Sequence, residues 1–304
     1  MANNFVCTIT VDKARELKAL FISSGWKIDK PQYTNFKAKE GKLSCTVYNS
    51  GKLVVMGKEF QSVVRDFVAL IIPVESPEEV MEAEALEFVP HAGIDESGKG
   101  DFFGPLVTAC VFVNDETLPK LKAAGVQDSK NIKNDQKIIQ IAEDIKRITG
   151  TANEVLVLRN EKYNTLYANI GNLNKLLAWC HATVLENVLE RVPECKQAIS
   201  DQFASSKSVV LSALKERGKK IELIQMTKAE RDVAVAAASI LARARFVEEM
   251  KMMSLELQLT TDLPKGVSKR TKEVARQLFL QGNRALLAKY SKEHFKTFEE
   301  ICSQ

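Results

Sequence analysis

The stretch VESPEEVMEAEALEF, residues 74 to 88, restricts most strongly how this chain can fold. Residues 75 to 87 hold six glutamates and no basic side chain. A segment so charged cannot pass through a hydrophobic core, because each ionised carboxylate would lose its water without gaining a partner. It therefore reads as a boundary, with Pro77 interrupting any helix it starts. Both flanking bodies are basic: residues 1 to 74 carry 11 basic and 6 acidic side chains, residues 88 to 304 carry 32 and 27. The expected organisation is a basic N-terminal domain over 1–74, an acidic linker over 75–88 and a larger domain over 89–304.

A hydrophobic content of 45% excludes a chain disordered throughout. The longest apolar runs, such as Val68 to Val74, fall short of the roughly 18 residues needed to cross a bilayer, so no membrane partner is expected. The N-terminus MANNFVCTIT has neither a cationic start nor an apolar core, and the protein is expected to be cytoplasmic and to act as a monomer. Its six cysteines (7, 45, 110, 180, 195, 302) form no C-x-x-C pair and read as free thiols of a reducing compartment. With only His91, His181 and His294 available, a catalytic metal would rest mainly on oxygen ligands, which points to Mg²⁺ or Mn²⁺.

The N-terminal body reads as a strand (Phe5 to Thr10), an amphipathic helix (about Asp12 to Ser23, with Ala14, Leu17, Leu20 and Phe21 near one face) and a strand-rich stretch. Its strands are Trp26 to Ile28, Thr34 to Lys39, Lys42 to Tyr48 and Lys52 to Met56, and a second helix, Phe60 to Ile72, closes it. Lys27, Lys30, Lys37, Lys39, Lys42, Lys52 and Lys58 are interleaved with Trp26, Tyr33, Phe36 and Tyr48. Basic and aromatic groups on a sheet suit a nucleic-acid backbone; a merely solvated sheet face fits equally well. The larger body opens with apolar runs at His91 to Ile94, Leu106 to Val113 and Glu154 to Leu158, and then strands alternate with helices. These are helix Asn172 to Arg191, strand Gln197 to Ser200, helix Lys207 to Glu216, strand Ile221 to Met226 and helix Asp232 to Met252. A mixed α/β sheet flanked by helices on both faces is the expected fold, preceded by a small α+β domain.

Residues 93 to 105 read GIDESGKGDFFGP, an apolar strand running into two carboxylates and a Gly-Lys-Gly turn. Gly93, Gly98 and Lys99 mimic a nucleotide-binding P-loop, but Gly100 stands where a hydroxyl should meet Mg²⁺, and Asp95 and Glu96 would repel the phosphates. The carboxylates make more sense as a cluster whose repulsion a divalent cation relieves. Neighbours on a strand face opposite ways, so Asp95 and Glu96 are expected to share a site only if the strand bends at Glu96. Asp201 ends an apolar strand, and Glu230 and Asp232 flank the start of the Ala-rich helix VAVAAASILARA. Four carboxylates so placed could hold two Mg²⁺ ions roughly 3.5 to 4 Å apart. Each also has a plainer use: Asp201 or Asp232 as a helix cap, Glu230 as a solvated acid.

GIDESGKGDFFGP, the D-S-K at Asp128 to Lys130, the strand-end Asp201 and KAERDVAVAAASILARARF together resemble the type 2 ribonucleases H. The likeness extends to LPKG at Leu263 to Gly266 and KEHF at Lys292 to Phe295. The basic N-terminal body, through YNSGKLVVMGK at Tyr48 to Lys58, is similar to the TATA-binding-protein-like domain of one branch of that family. The resemblance implies a ribonuclease H-like catalytic fold and endonucleolytic hydrolysis of the RNA strand of an RNA/DNA hybrid, leaving 3′-hydroxyl and 5′-phosphate ends. It also implies a metal cluster of Asp95, Glu96, Asp201 and Glu230 holding two Mg²⁺ or Mn²⁺ ions. Substrate contacts would come from Ser97, Gly98, Lys99, Gly100, Ser129 and Lys130, with the Gly98–Gly100 turn reading 2′-hydroxyls and Lys130 meeting phosphate. His181 and His294 are expected to be structural or phosphate-facing. Glu230 and Asp232 remain competitors for the fourth metal position.

Overall fold

The computed structural model describes residues 4–31, 34–57, 60–71, 88–127, 129–132, 134–201, 208–227 and 229–303. The expected linker, apart from Phe88, lies outside them, as do Tyr33, Lys58 and Asp128. The chain divides into two compact units, residues 1–88 and 89–304.

In the first unit, β1 (Asn4–Thr8), β2 (Lys27–Asp29), β3 (Thr34–Glu40), β4 (Leu43–Tyr48) and β5 (Lys52–Met56) form an antiparallel sheet of order β1-β5-β4-β3-β2. Helix α1 (Val11–Ser23) starts at Thr10, whose hydroxyl accepts from the Lys13 amide, and turns Ala14, Leu17 and Phe21 inward at helical spacing. Phe21 packs at 4.7 Å between ring centroids on both Trp26 and Phe67. Two expectations need correction. Trp26 and Phe36 do not join the lysines on the sheet surface: strand alternation in TNFKAKE turns Phe36 and Ala38 into the core and leaves Lys37 and Lys39 outside, while Trp26 is buried against Phe21. Of the three of these aromatics that are described, only Tyr48 stays exposed. The second helix is not one α-helix to residue 72. A single turn, α2 (Phe60–Val63), widens into a π-helical segment (Val64–Val68), marked by the Ala69 amide donating to the Val64 carbonyl at 2.8 Å. The wider turn lets the adjacent Val63 and Val64, together with Val68, all face inward.

The second unit is built on β6 (His91–Ser97), β7 (Leu106–Val113), β8 (Asn153–Leu158), β9 (Gln197–Asp201) and β10 (Glu222–Met226), in the order β10-β9-β6-β7-β8. β6, β7 and β8 run antiparallel, whereas β9 lies parallel to β6 and to β10, a mixed sheet as the sequence pattern predicts. Around it lie α3 (Thr117–Ala123), α4 (Asp135–Thr149), α5 (Asn160–Ile170), α6 (Leu173–Arg191), α7 (Ser208–Ala213), α8 (Val233–Glu256), α9 (Lys269–Tyr290) and α10 (Lys296–Cys302). The sequence reading did not single out α3, α5, α9 and α10. α7 is shorter than the expected Lys207 to Glu216.

Helices α6 and α8 cover opposite faces of β6. Ala92 and Ile94 pack with Ala182 and Leu185 of α6, while Gly93 faces the first turn of α8. A Cβ on Gly93 would stand 2.1 Å from the Ala234 carbonyl carbon and the Val235 nitrogen, so only glycine permits this approach. Small residues continue the contact, and Ala234 to Ala242 of α8 are all buried. The helix is thereby seated with its N-terminus beside the carboxyl ends of β6 and β9.

Candidate active site

At those strand ends lies an open cleft of about 410 Å³, lined by Asp95, Glu96, Ser97, Gly98, Lys99, Gly100, Ser129, Lys130, Asp201, Glu230, Ser239 and Arg243. All ten residues that the resemblance assigns to metal and substrate line it. Asp95 and Glu96 do so without a bend in the strand: β6 keeps its register with β7 through Ser97. On the other side, pairing of β6 with β9 ends at Ile94–Ser200. Beyond that point the edge of β6 is open, and carboxylates from its two faces reach the same gap.

Their surroundings differ accordingly. Asp95, on the α8 side, accepts from the Glu96 amide at 2.8 Å, and the Ser239 hydroxyl in the same cleft favours its ionised form. Burial, and then the neighbouring Glu96 charge, push its pKa up to about 7. Glu96, on the α6 side, lies 2.9 Å from His181 Nε2 and 3.5 Å from Lys99 Nζ. Burial opposes its ionisation, but His181 and Lys99 outweigh burial and hold its pKa below the usual value. Asp201 Oδ1 accepts from the Ala229 amide at 3.4 Å. Glu230 is kept ionised by its own backbone amide, against some burial, and by Lys130, whose Nζ is 3.3 Å away. His181 is fully buried and acts on Glu96, whereas His294 is absent from the cleft and stacks on Tyr167 at 4.1 Å.

Asp232 is occupied elsewhere. One carboxylate oxygen caps α8, accepting from the Ala234 and Val235 amides at 2.9 and 3.0 Å; the other lies 2.9 Å from His91 Nε2. His91 Nδ1 donates to the Val89 carbonyl at 2.6 Å, so both ring nitrogens face acceptors. Burial disfavours the charged ring, yet Asp232 outweighs it and the His91 pKa is raised.

The two turn glycines have different reasons to be glycine. Gly98 has φ +87°, and a Cβ there would lie 2.2 Å from the Pro105 carbonyl oxygen and 2.9 Å from the Phe246 ring. Gly100 faces open space. The following loop is gripped from behind by Lys292, fully buried, whose Nζ donates to the Asp101 and Gly104 carbonyls at 2.7 Å each. Burial pushes its pKa down to about 7. Asp101 in turn accepts from the Gly266 amide at 2.6 Å, which is how LPKG and KEHF, remote in sequence, meet the turn. Ser239, Arg243 and Lys292 were missed in the sequence. For Ser239 a signal existed, since it is the one hydroxyl within VAVAAASILA.

Among the described residues, no three His, Cys, Asp or Glu side chains already stand close enough to form a metal cage. The donor chemistry nevertheless fits a hard divalent cation: Asp95, Glu96, Asp201 and Glu230 offer carboxylate oxygens to one cleft, and after burial the Glu96 charge is the next cause that raises the Asp95 pKa.

A helix-covered mixed sheet with acidic side chains at its strand ends defines a nuclease of the ribonuclease H-like class. Residues 92–298 match the family model described as Ribonuclease HII, and residues 4–72 match a domain of unknown function. The chain belongs to the ribonuclease HII family. Ribonuclease HIII of Chlamydia felis is 42% identical over 303 residues, covering 99% of this chain and 98% of that protein. The Chlamydia pneumoniae protein of the same description is 44% identical over 301 residues, 98% of each. The crystal structure of Bst-RNase HIII in complex with Mn²⁺ aligns with TM-score 0.67 and 28% identity over 99% of this chain and 98% of that one. Aquifex aeolicus RNase H3 aligns at 0.53 and 27%, over 95% and 98%.

Proposed function

We propose that the chain is a ribonuclease H that hydrolyses the RNA strand of RNA/DNA hybrids, leaving 3′-hydroxyl and 5′-phosphate ends, with two Mg²⁺ or Mn²⁺ ions. The observation that carries this reading is the convergence of Asp95, Glu96, Asp201 and Glu230 with the 97–100 turn and Ser129–Lys130 in one cleft. The divalent cations would activate water and neutralise charge at the scissile phosphate, and the Mn²⁺ in the Bst-RNase HIII crystal structure supports that role. The protein's own groups bind and orient. Lys130, mostly exposed, exchanges its contact with Glu230 for a substrate phosphate. The open space at Gly100 lets backbone groups approach 2′-hydroxyls, which suits RNA rather than DNA. His181 and Lys99 hold Glu96 ionised and aimed.

Labelled hybrid, all-DNA duplex and duplex with a single ribonucleotide, each offered Mg²⁺, Mn²⁺ or EDTA, test the proposal. Hybrid should be cut only with a divalent ion, and the all-DNA duplex should stay intact. Binding without cleavage would make the protein an architectural one, and cutting of DNA would move it to the junction nucleases.

The first unit is proposed to hold the substrate through the sheet face that α1 leaves uncovered. Register places Lys27 beside Lys39 and Lys37 beside Thr46, with Lys52 at the other side of the sheet. Deleting residues 1–88 should weaken hybrid binding. If these four lysines meet phosphates, the slope of log K against log salt should become shallower by roughly 3 to 4; unchanged affinity and slope would remove the unit from the substrate path. Free cysteines throughout the described residues suit the reducing cytoplasm, and none of the described helices is long and apolar enough to cross a membrane. Action as a monomer in that compartment is part of the same proposal.

A further inference from the structure

Behind the cleft, a buried hydroxyl of α8 meets the turn that carries Ser129 and Lys130. Ser239, buried in the apolar run of α8, lines the cleft with Asp95, whose ionised form it favours, and its hydroxyl lies 2.8 Å from that of Ser129, also buried. Where a bound cation keeps Asp95 ionised, its carboxylate only accepts; the single hydroxyl hydrogen of Ser239 then goes to Asp95, and Ser129 donates to Ser239 Oγ. The Ser129 carbonyl is anchored by the guanidinium of Arg243, which Asp135 holds at 3.3 Å. The next residue, Lys130, contacts Glu230. One short turn thus touches two of the four carboxylates, one directly and one through Ser239.

We propose that Ser239 is a positioning residue for Asp95, with Ser129 as the second link, and that this hydroxyl pair sets the orientation in which Asp95 meets a divalent cation. The inference rests on the assignment of Asp95 to the metal-binding set. The χ2 rotation of an Asp carboxylate is broad, and the Glu96 amide alone leaves one oxygen to be aimed. Ser239 aims it from a helix already seated on the strand. Nothing in the fold of α8 calls for this hydroxyl: alanine is the better helix former, and a buried hydroxyl must find a partner to be tolerated. Ser239→Ala consequently leaves the helix intact and removes the aim.

Calorimetric titration of the full-length protein with Mn²⁺, without substrate, tests this on the unaltered chain, Ser239→Ala, Ser129→Ala, the double variant and Asp95→Asn. Ser239→Ala should weaken Mn²⁺ binding about tenfold, the scale of losing a partner that orients a ligand, with a melting temperature within about 3 °C of the original. Ser129→Ala should weaken it less. The double variant should be no worse than Ser239→Ala, because the link to Asp95 is already cut. In cleavage, the Mn²⁺ needed for half-maximal rate should rise by the same factor while kcat recovers at saturation. Unchanged Mn²⁺ affinity in Ser239→Ala, with loss in Asp95→Asn, would reduce the pair to a loop anchor and overturn the inference while the site assignment stands. Multiplying losses in the double variant would overturn the role of Ser129 as a link. No Mn²⁺ binding by the unaltered chain, or full binding by Asp95→Asn, would overturn the metal assignment and the inference with it.

Discussion

Glu230→Gln should lower turnover of an RNA/DNA hybrid by about 10³-fold or more and leave the melting temperature almost unchanged, while Asp232→Ala should do the reverse. Both acids stand at the start of α8, where the positive end of the helix dipole favours any anion, so position does not choose between them. Their contacts do. Asp232 spends one oxygen on two backbone amides and the other on His91, whereas Glu230 lines the cleft with an exposed lysine as its side-chain partner. Losing a ligand that neutralises charge only at the cation and transition state costs rate, and a thousandfold corresponds to about 4 kcal/mol. The Glu230–Lys130 contact is worth little to folding, because Lys130 is mostly in solvent. Removing Asp232 deletes a cap, worth about 1 kcal/mol, and takes the hydrogen-bonding carboxylate from the buried His91 ring, worth roughly another. At about 2–4 °C per kcal/mol for a unit of this size, the melting temperature should fall by roughly 4–8 °C. Asp201→Asn should behave as Glu230→Gln does. Hybrid cleavage rates and thermal melts of the three variants decide it: normal turnover in Glu230→Gln together with loss in Asp232→Ala would move the fourth ligand.

Gly98→Val should be the most damaging substitution in the turn. The substituted residue would have to hold φ +87° and place its Cβ 2.2 Å from the backbone carbonyl of Pro105, the residue directly before β7. Strain of about 1–3 kcal/mol for the backbone and a similar amount for overpacking predict a melting temperature lower by on the order of 10 °C, with activity lost alongside. Gly100→Val should melt like the unaltered protein, because a side chain there meets nothing; any loss should appear as a raised KM for hybrid. Lys99→Ala should cost no more than about tenfold, since His181 still holds Glu96. A Gly100→Val protein that melts early, or a Gly98→Val protein that does not, would show the two glycines to be misassigned.

Much of this site is legible in the chain because its signals are local. GIDESGKG announces a strand ending in acids and a turn. The period-2 and helical patterns place Asp201 at a strand end and Asp232 at a helix start, and structure finds both there. Side-chain orientation is less legible. Trp26 and Phe36 look like surface aromatics among lysines, but the core of a unit this small needs them. A single strand also suggests a bend to bring Asp95 and Glu96 together. Only the sheet order shows that a neighbour ending short does the same work.

The sequence by itself determined that this protein has two basic bodies, a mixed sheet and a carboxylate set for a hard cation, because charge, periodicity and side-chain chemistry are properties of adjacent residues. The tertiary structure alone decided which acid caps and which faces the cleft, and why Gly98 must be glycine while Gly100 faces open space. It alone also brought Ser129, more than a hundred positions earlier in the chain, to Ser239. Those outcomes depend on distances across the fold, where a hydrogen bond or a clash turns on less than an ångström, and separation along the chain carries no record of them.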